Sequence, residues 1–383
     1  MADYSIEVAV PNIGPQGPPG PPASVDFSSR NILYVSKGSA ATNTRGALSK
    51  YDSNVPFATI TAAQSAASAG DVIFIESGTY SETDLGKNGI SYWFAPNCTV
   101  GGSATTSNNA IFTDNNSGVS FSIYGYPKIL DRGEGGGRGV GMLIQNPASK
   151  VYAELQSVEV AGGDILVGLY LEAGSGTIIV RESVISDGYD ALLVAGGNWT
   201  VCAESFEAPS IIADGGNAVE ITGGQSRVFA SKGLFTRGAA SEGGSTGSSS
   251  AIVVLGGSSF VQAPLIKSDA DTTVSVQGGS LKIVGAKIEA ASTFSALAVS
   301  SATTATIDAC ELVSGSSATN GITGSGTVFA STLRTNKPVA GGVTLNLSLP
   351  IAAAVADATD AASTQARLND LLSRLRSLKL IAT

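Results

Sequence analysis

The sequence predicts an all-β chain, a solenoid of short parallel strands wound as a right-handed parallel β-helix. Three observations predict it. Five stretches are variants of one line: ALLVAGGNWTVCAE from Ala191, AVEITGGQSRVFAS from Ala218, AIVVLGGSSFVQAP from Ala251, TVSVQGGSLKIVGA from Thr273 and, looser, ALAVSSATTATIDA from Ala296. Their starts recur every 22 to 33 residues, which marks a stacked architecture, and apolar residues alternate with period two inside each unit, which makes the stacked pieces strands. Finally, 47 glycines in 383 residues, with 43% hydrophobic and only 14% charged residues, make a chain too apolar for disorder and too glycine-rich for helical packing.

Weaker copies extend the pattern upstream, as GMLIQNPASKVYAE from Gly141 and GLYLEAGSGTIIVRE from Gly168, and downstream, as GITGSGTVFAS from Gly321. Each unit holds two or three strands of three to five residues, too short to bury anything alone. Stacked in parallel about 4.8 Å apart, like positions fall into columns of Val, Ile and Leu that form one lengthwise core. The glycine pairs at 196–197, 223–224, 256–257 and 278–279 follow the first strand of each unit, where a corner needs positive φ or a missing side chain. The right hand comes from the general rule for parallel crossovers. A solenoid lengthens without splitting its core, so one elongated body is expected over 83–340, with small modules at both ends.

The modules follow in chain order. Residues 1–13 alternate, with Tyr4, Ile6, Val8 and Val10 on one side, and read either as a docking strand that joins another protein's sheet edge or as a disordered leader. Residues 14–23 contain GPQGPPGPP, with Gly14, Gly17 and Gly20 at every third place. That spacing is what three chains need to wind on one axis, and three triplets would hold together only if a trimeric body kept them close; a stiff spacer is the alternative. In residues 24–82 an alanine-rich stretch from Thr59 to Ala69 carries Ile60, Ala63, Ala66 and Ala67 at helical spacing and stops at Gly70, after which DVIFIESGTY starts the first strand. In residues 341–383 the strand VTLNLSLP precedes a helix whose Leu368, Leu371, Leu375 and Leu378 form a seam, with Arg374, Arg376 and Lys379 in its last turn. So short a helix must bury that seam, against the end of its own solenoid or against two copies of itself.

Charge and composition exclude much. A net charge of −9 lacks the Lys and Arg clusters that a phosphate lattice recruits, so no nucleic-acid partner is expected. MADYSIEVAV has no basic n-region or apolar h-region, and no uncharged apolar run reaches about 18 residues, so neither Sec export nor membrane insertion is expected. The absence of histidine excludes Ser-His-Asp triads, Cys-His dyads and the usual zinc ligand sets; no cofactor and no metal are expected. Cys98, Cys202 and Cys310 cannot all pair within one chain and read as free thiols packed as small hydrophobes. The carboxylates that could work are Glu182 and Glu204, at comparable places in successive units (IIVRES and TVCAES), which puts their stems about 5 Å apart, the separation of a retaining glycosidase pair. Asp187 and Asp190 form a second acidic group in SDGYD. A lyase of the pectate type would need a calcium-binding acidic cluster and an arginine base, and Arg181 beside Glu182 is the local candidate. Stacked carboxylates on a solvated face also occur without function, and aromatics for sugar stacking are sparse, with Trp93 and Trp199 the only tryptophans.

Two resemblances sharpen this reading. Pro56, Phe57, Thr59, Ile60, Ala63, Gly70, Asp71, Ile73, Ile75, Gly78, Tyr80 and Glu82 resemble the N-terminal cap of pectate-lyase-like β-helix proteins, in which a helix precedes a Gly-Asp-x-Ile-x-Ile-x-x-Gly-x-Tyr strand. The order of N-terminal peptide, collagen-like triplets, cap, coils and leucine helix resembles bacteriophage tail fibres, tailspikes and head fibres. That resemblance implies a homotrimer located in the virion, assembled in the host cytoplasm, with residues 1–13 joined to other virion structural proteins and the region beyond about Val313 facing the host. It implies a structural fibre that attaches to the host surface, with host glycan as a contact. The alternative is a polysaccharide depolymerase that works through Glu182, Glu204 and Asp187.

Overall fold

The computed structural model describes residues 32–37, 56–101, 110–132, 138–161, 165–208, 216–236, 249–269 and 271–347. The N-terminal peptide, the triplets and the leucine helix lie outside the described residues. Among these residues the chain is almost all β, with 31 strands and one short helix, and its strands pair in parallel.

One coil shows the plan. Ser258–Gln262 lies on a first face, Leu265–Ser268 on a second and Val274–Val276 on a third. The next coil repeats this with Ser280–Val284, Lys287–Ala290 and Leu297–Val299, each paired to its counterpart. On the first face Ser120, Lys150, Ser175, Asn198, Gln225, Ser258, Ser280, Thr304, Thr327 and Thr344 stack in succession. The third face is a nine-stranded sheet from Ala110–Thr113 to Ile322–Gly324. The first two are joined because Asn198–Ala208 and Gln225–Thr236 run through the corner between them, with a register shift between Ala203 and Ser205. These two strands, 11 and 12 residues long, exceed the three to five residues that the repeat suggests: the first crosses the corner with no glycine, and the second carries Gly233 there, at φ +151°, still paired to Ser205.

Stacking turns the apolar alternation into columns. Ile178, Val201, Val228, Val261, Ile283 and Ile307 line up inside the first face. Leu169, Leu192, Val219, Ile252, Val274 and Leu297 do so inside the third. All are buried, in one hydrophobic cluster that reaches from Leu33 to Leu333. Where the column on the first face widens to admit Trp199, the preceding coil supplies Gly176; a Cβ there would lie 2.9 Å from the indole Cζ3 and 1.9 Å from the Val151 carbonyl oxygen.

The glycine doublets make the corner as expected, and each member has its own reason. The second glycine takes positive φ, +81° at Gly197, +71° at Gly224, +72° at Gly257 and +65° at Gly279. The first leaves no room for a side chain: a Cβ on Gly223 would sit 2.4 Å from the Ala195 carbonyl oxygen of the coil before.

At the N-terminal end the helix spans Ile60–Ala66, shorter than the alanine-rich stretch because Ala67 already has extended backbone. Thr59 Oγ1 accepts from the Ala62 amide at 3.1 Å, and the Glu82 carboxylate accepts from the Ile60 and Thr61 amides at 2.7 and 2.6 Å. At the other end Lys87 Nζ donates to the carbonyls of Gln64 and Ala67. Gln64 Oε1 accepts from the Gly86 amide and the Tyr92 hydroxyl, which ties the helix to the first coils. The first strand is Ile32–Val35, paired to Val72–Ile75, earlier than the DVIFIESGTY start read from the sequence. Forty residues separate Ile32 from its partner Val72, well outside the repeat period, and this hides the coil.

All three cysteines are free thiols, Cys98 and Cys310 buried and Cys202 half-buried. Burial pushes Cys98 up to about 11, and its Sγ donates to the Glu76 carbonyl. Among the described residues no helix is long and apolar enough to cross a membrane.

Candidate functional site

The carboxylates singled out by sequence lie on the corner between the first and second faces. Ser183 pairs with Ser205, so Glu182 and Glu204, one residue earlier, occupy the same place on adjacent coils, and the Glu204 amide donates to the Glu182 carbonyl at 2.8 Å. Gln156 precedes them in the column and Lys232 follows. The ridge therefore reads Gln156, Glu182, Glu204, Lys232 over four coils. Gln156 Nε2 donates to Glu182 Oε1 at 2.8 Å, and Lys232 Nζ is hydrogen-bonded and ion-paired to Glu204 Oε2. The hydrogen bond and charge of Glu204, with smaller contributions from Glu182 and Glu207, hold the Lys232 ammonium above its ordinary range. Glu182 is exposed. Stacking thus sets the two stems one coil apart, about 4.8 Å, while the partners are those of a surface charge ladder.

Asp187 does not join them. It follows the strand Ser183–Ser186, five residues beyond Glu182 and about 16 Å away at an extended rise, beyond either glycosidase spacing. Asp190 belongs to another structure, an internal polar column at the corner before the third face. Its Oδ1 accepts from the Asn217 amide at 2.9 Å; Asn217 Oδ1 in turn accepts from the Ser250 amide at 3.2 Å, and Asn217 Nδ2 donates to Glu220 Oε2 at 2.9 Å. Burial, then the neighbouring Glu220 charge, raise the Asp190 carboxyl to about 7, and burial also raises Glu220. Arg181, the candidate lyase base, places its guanidinium carbon 3.3 Å from the centre of the Tyr126 ring, a cation–π contact.

A second buried carboxylate was not apparent in the sequence. Asp131 is the last residue but one of its strand Lys128–Arg132, at the corner after the second face. Val160 follows it in the column, and later coils place hydroxyls there: Ser186 Oγ donates to the Leu166 carbonyl at 2.7 Å, and Thr236 Oγ1 and Ser268 Oγ donate to the Ser249 carbonyl. Asp131 is wholly buried and, among the described residues, neither carboxylate oxygen has a well-formed hydrogen bond. Burial raises its pKa to about 6, opposed by the Val140 amide. Only the protonated acid has the donor that a hydroxyl supplies at this position.

Two open grooves mark the second face. One of about 310 Å³ is lined by Lys128, Ser157, Glu159, Glu182, Ser183 and Ile185 among others, and one of about 410 Å³ by Pro264, Gly285, Lys287, Glu311, Thr332 and Arg334 among others. Among the described residues no group of three or more Cys, Asp and Glu side chains is placed to hold a metal ion.

Sequence reasoning missed an aromatic column on the outside of the first face. Tyr34 pairs with Phe74, Phe74 with Trp93 and Trp93 with Tyr124, and Tyr152 leans onto Tyr124. Ring centres are 6.0 Å apart for Tyr34 and Phe74, 4.9 Å for Trp93 and Tyr124, and 5.4 Å for Tyr124 and Tyr152. The signal was an aromatic residue directly after an inward apolar one, as in LYV, IFI and YWF. Trp199, by contrast, is core and presents nothing to solvent. No protein-family model, curated protein or solved structure matches the chain.

Proposed function

We propose that this chain is a structural fibre of a bacteriophage particle. Three copies form a rod of right-handed parallel β-helices, capped at the N-terminal end by the helix Ile60–Ala66, joined to the virion through residues 1–13 and carrying a surface for host attachment. The observation that carries this reading is the position of GPQGPPGPP: three collagen-like triplets stand directly ahead of a long stack of parallel coils. Triplets need a trimeric body to hold them together, and a stack of coils is a stiff rod about 58 Å long over its 13 strands on the first face at about 4.8 Å per coil. Weak contacts with host glycan gain avidity from three copies per fibre.

The test is light scattering on the full chain, followed by deletion of residues 1–22. The trimer mass is expected, and the shortened chain should remain soluble yet fail to join the particle. A monomer at micromolar concentration, or incorporation without residues 1–22, contradicts the reading.

The spacing of Glu182 and Glu204 favours a second reading, hydrolysis of a surface polysaccharide. Release of reducing ends from host glycan, abolished by Glu182→Gln or Glu204→Gln, would establish it. The Lys232 and Gln156 partners support the structural role instead.

A further inference from the structure

We propose that the outer side of the first face is the surface on which copies of this chain pack against one another. This rests on the trimeric fibre reading and assigns its interface.

The first face differs from the second in what it shows outside. Its outward column begins with Tyr34, Phe74, Trp93 and Tyr124, is flanked by Tyr152, and continues through Glu154, Ile179 and Cys202 to Phe229, whose ring centre is 5.7 Å from that of Phe260. Further on, Phe329 is 42% exposed on the same face. The charges here are few, Lys150, Glu154, Arg227, Lys282 and Asp308: Lys282 pairs with Asp308 at 3.3 Å, and Glu154 accepts from the Tyr152 hydroxyl at 2.7 Å. The outside of the second face carries Lys128, Glu159, Glu207, Lys267, Glu289 and Arg334. Three copies of a chain of net charge −9 repel one another, and they repel least across a face where charge is sparse.

Chain path points the same way. The triplets end at Pro22, and the described chain enters the first face at Ile32, two residues before Tyr34. The nine residues between span at most about 30 Å when extended. Three chains gathered at the triplets are thereby delivered to the top of the aromatic column.

Area is sufficient. A face of about 58 Å by roughly 15 Å offers about 870 Å² per copy, a little above the roughly 800 Å² that one partner contributes to a standard stable interface. The rings of Trp93, Tyr124 and Tyr152 lean on one another along the rod, tilted by 34° and 39°, so each already spends part of its face on a neighbour, and an apolar partner with the same periodicity fits that surface better than the ring-face contact a sugar would use.

The experiment places a photoreactive benzoylphenylalanine at Tyr124, and separately at Lys267 on the second face, in the full-length chain. Irradiation is expected to yield covalent chain-to-chain products from position 124 and none from 267. A trimer by light scattering that cross-links from 267 and not from 124 overturns this face and leaves the fibre reading intact, whereas a monomeric chain overturns both. Products with added host polysaccharide in place of chain-to-chain products would assign the face to glycan and overturn the proposal. A Trp93→Glu/Tyr124→Glu chain that keeps the β circular-dichroism spectrum should need at least tenfold higher concentration to assemble; unchanged assembly contradicts the interface.

Discussion

Replacing glycine by alanine at two corners separates the two demands of the coil, backbone conformation and close approach. Gly285 has φ +69° and nothing within 4 Å of the place a Cβ would take. Gly224 has nearly the same φ, +71°, but its Cβ would lie 2.5 Å from the Gly197 carbonyl oxygen and 2.6 Å from the Gly196 carbonyl carbon, both backbone atoms of the coil before. The left-handed conformation costs alanine about 1–2 kcal/mol, and the stiffer unfolded chain returns about 0.4–1 kcal/mol. Gly285→Ala should therefore lose about 1 kcal/mol. At Gly224 the coils must in addition move apart against a full ladder of hydrogen bonds, an overpacking cost of about 1–3 kcal/mol, so Gly224→Ala should lose roughly 2–4 kcal/mol. Urea unfolding followed by circular dichroism, at equal protein concentration, measures both. Amide exchange should show the Gly224 damage centred on the coils around 197 and 224. Equal losses for the two variants would refute the claim that like corners stack in contact.

Three further outcomes follow. Trp199→Ala should lose about 3–5 kcal/mol, because a wholly buried indole leaves a cavity between coils, and the urea midpoint checks it; a loss under 1 kcal/mol would place the indole elsewhere. Asp131 has a folded pKa raised to about 6 from 3.8, so its contribution is fully present below about pH 4 and lost as pH rises through 6; Asp131→Asn should remove on the order of 3 kcal/mol of the decline in stability between pH 4 and 8, read from urea midpoints across that range, and an unchanged pH profile contradicts it. Glu182→Gln should leave the urea midpoint within about 0.5 kcal/mol of the parent, as an exposed ridge position, and a larger loss would show that the ridge holds the fold.

The coils from Ala191 onward were legible because every unit repeats the same physical solution, an aliphatic alternation and a glycine corner, at a nearly regular interval. Cys98 and Cys310 were legible as buried thiols because each starts a strand whose alternate residue, Val100 or Leu312, faces inward with it. The earlier coils were harder to read. Their corners use Asn97, Asn115, Asn116 and Tyr126 at positive φ in place of glycine doublets, and Tyr34, Phe74, Trp93 and Tyr124 recur at uneven intervals because loops of different length separate them. The Glu182 and Glu204 register was read correctly from IIVRES and TVCAES, yet Lys232 was not seen as their neighbour. The strand Gln225–Thr236 passes through the corner with an extra residue, and counting along the chain misses that shift. Asp131 obeys the alternation of its strand, with Ile129 and Asp131 inward and Leu130 outward, but a carboxylate in that place reads as a solvent-facing residue.

Electron cryomicroscopy of the purified full-length chain tests the central claim most directly. The expected image is three rods side by side about a threefold axis, each built of parallel coils about 4.8 Å apart, with the aromatic faces turned inward. Solitary rods, or a compact body without an axial repeat, would contradict it.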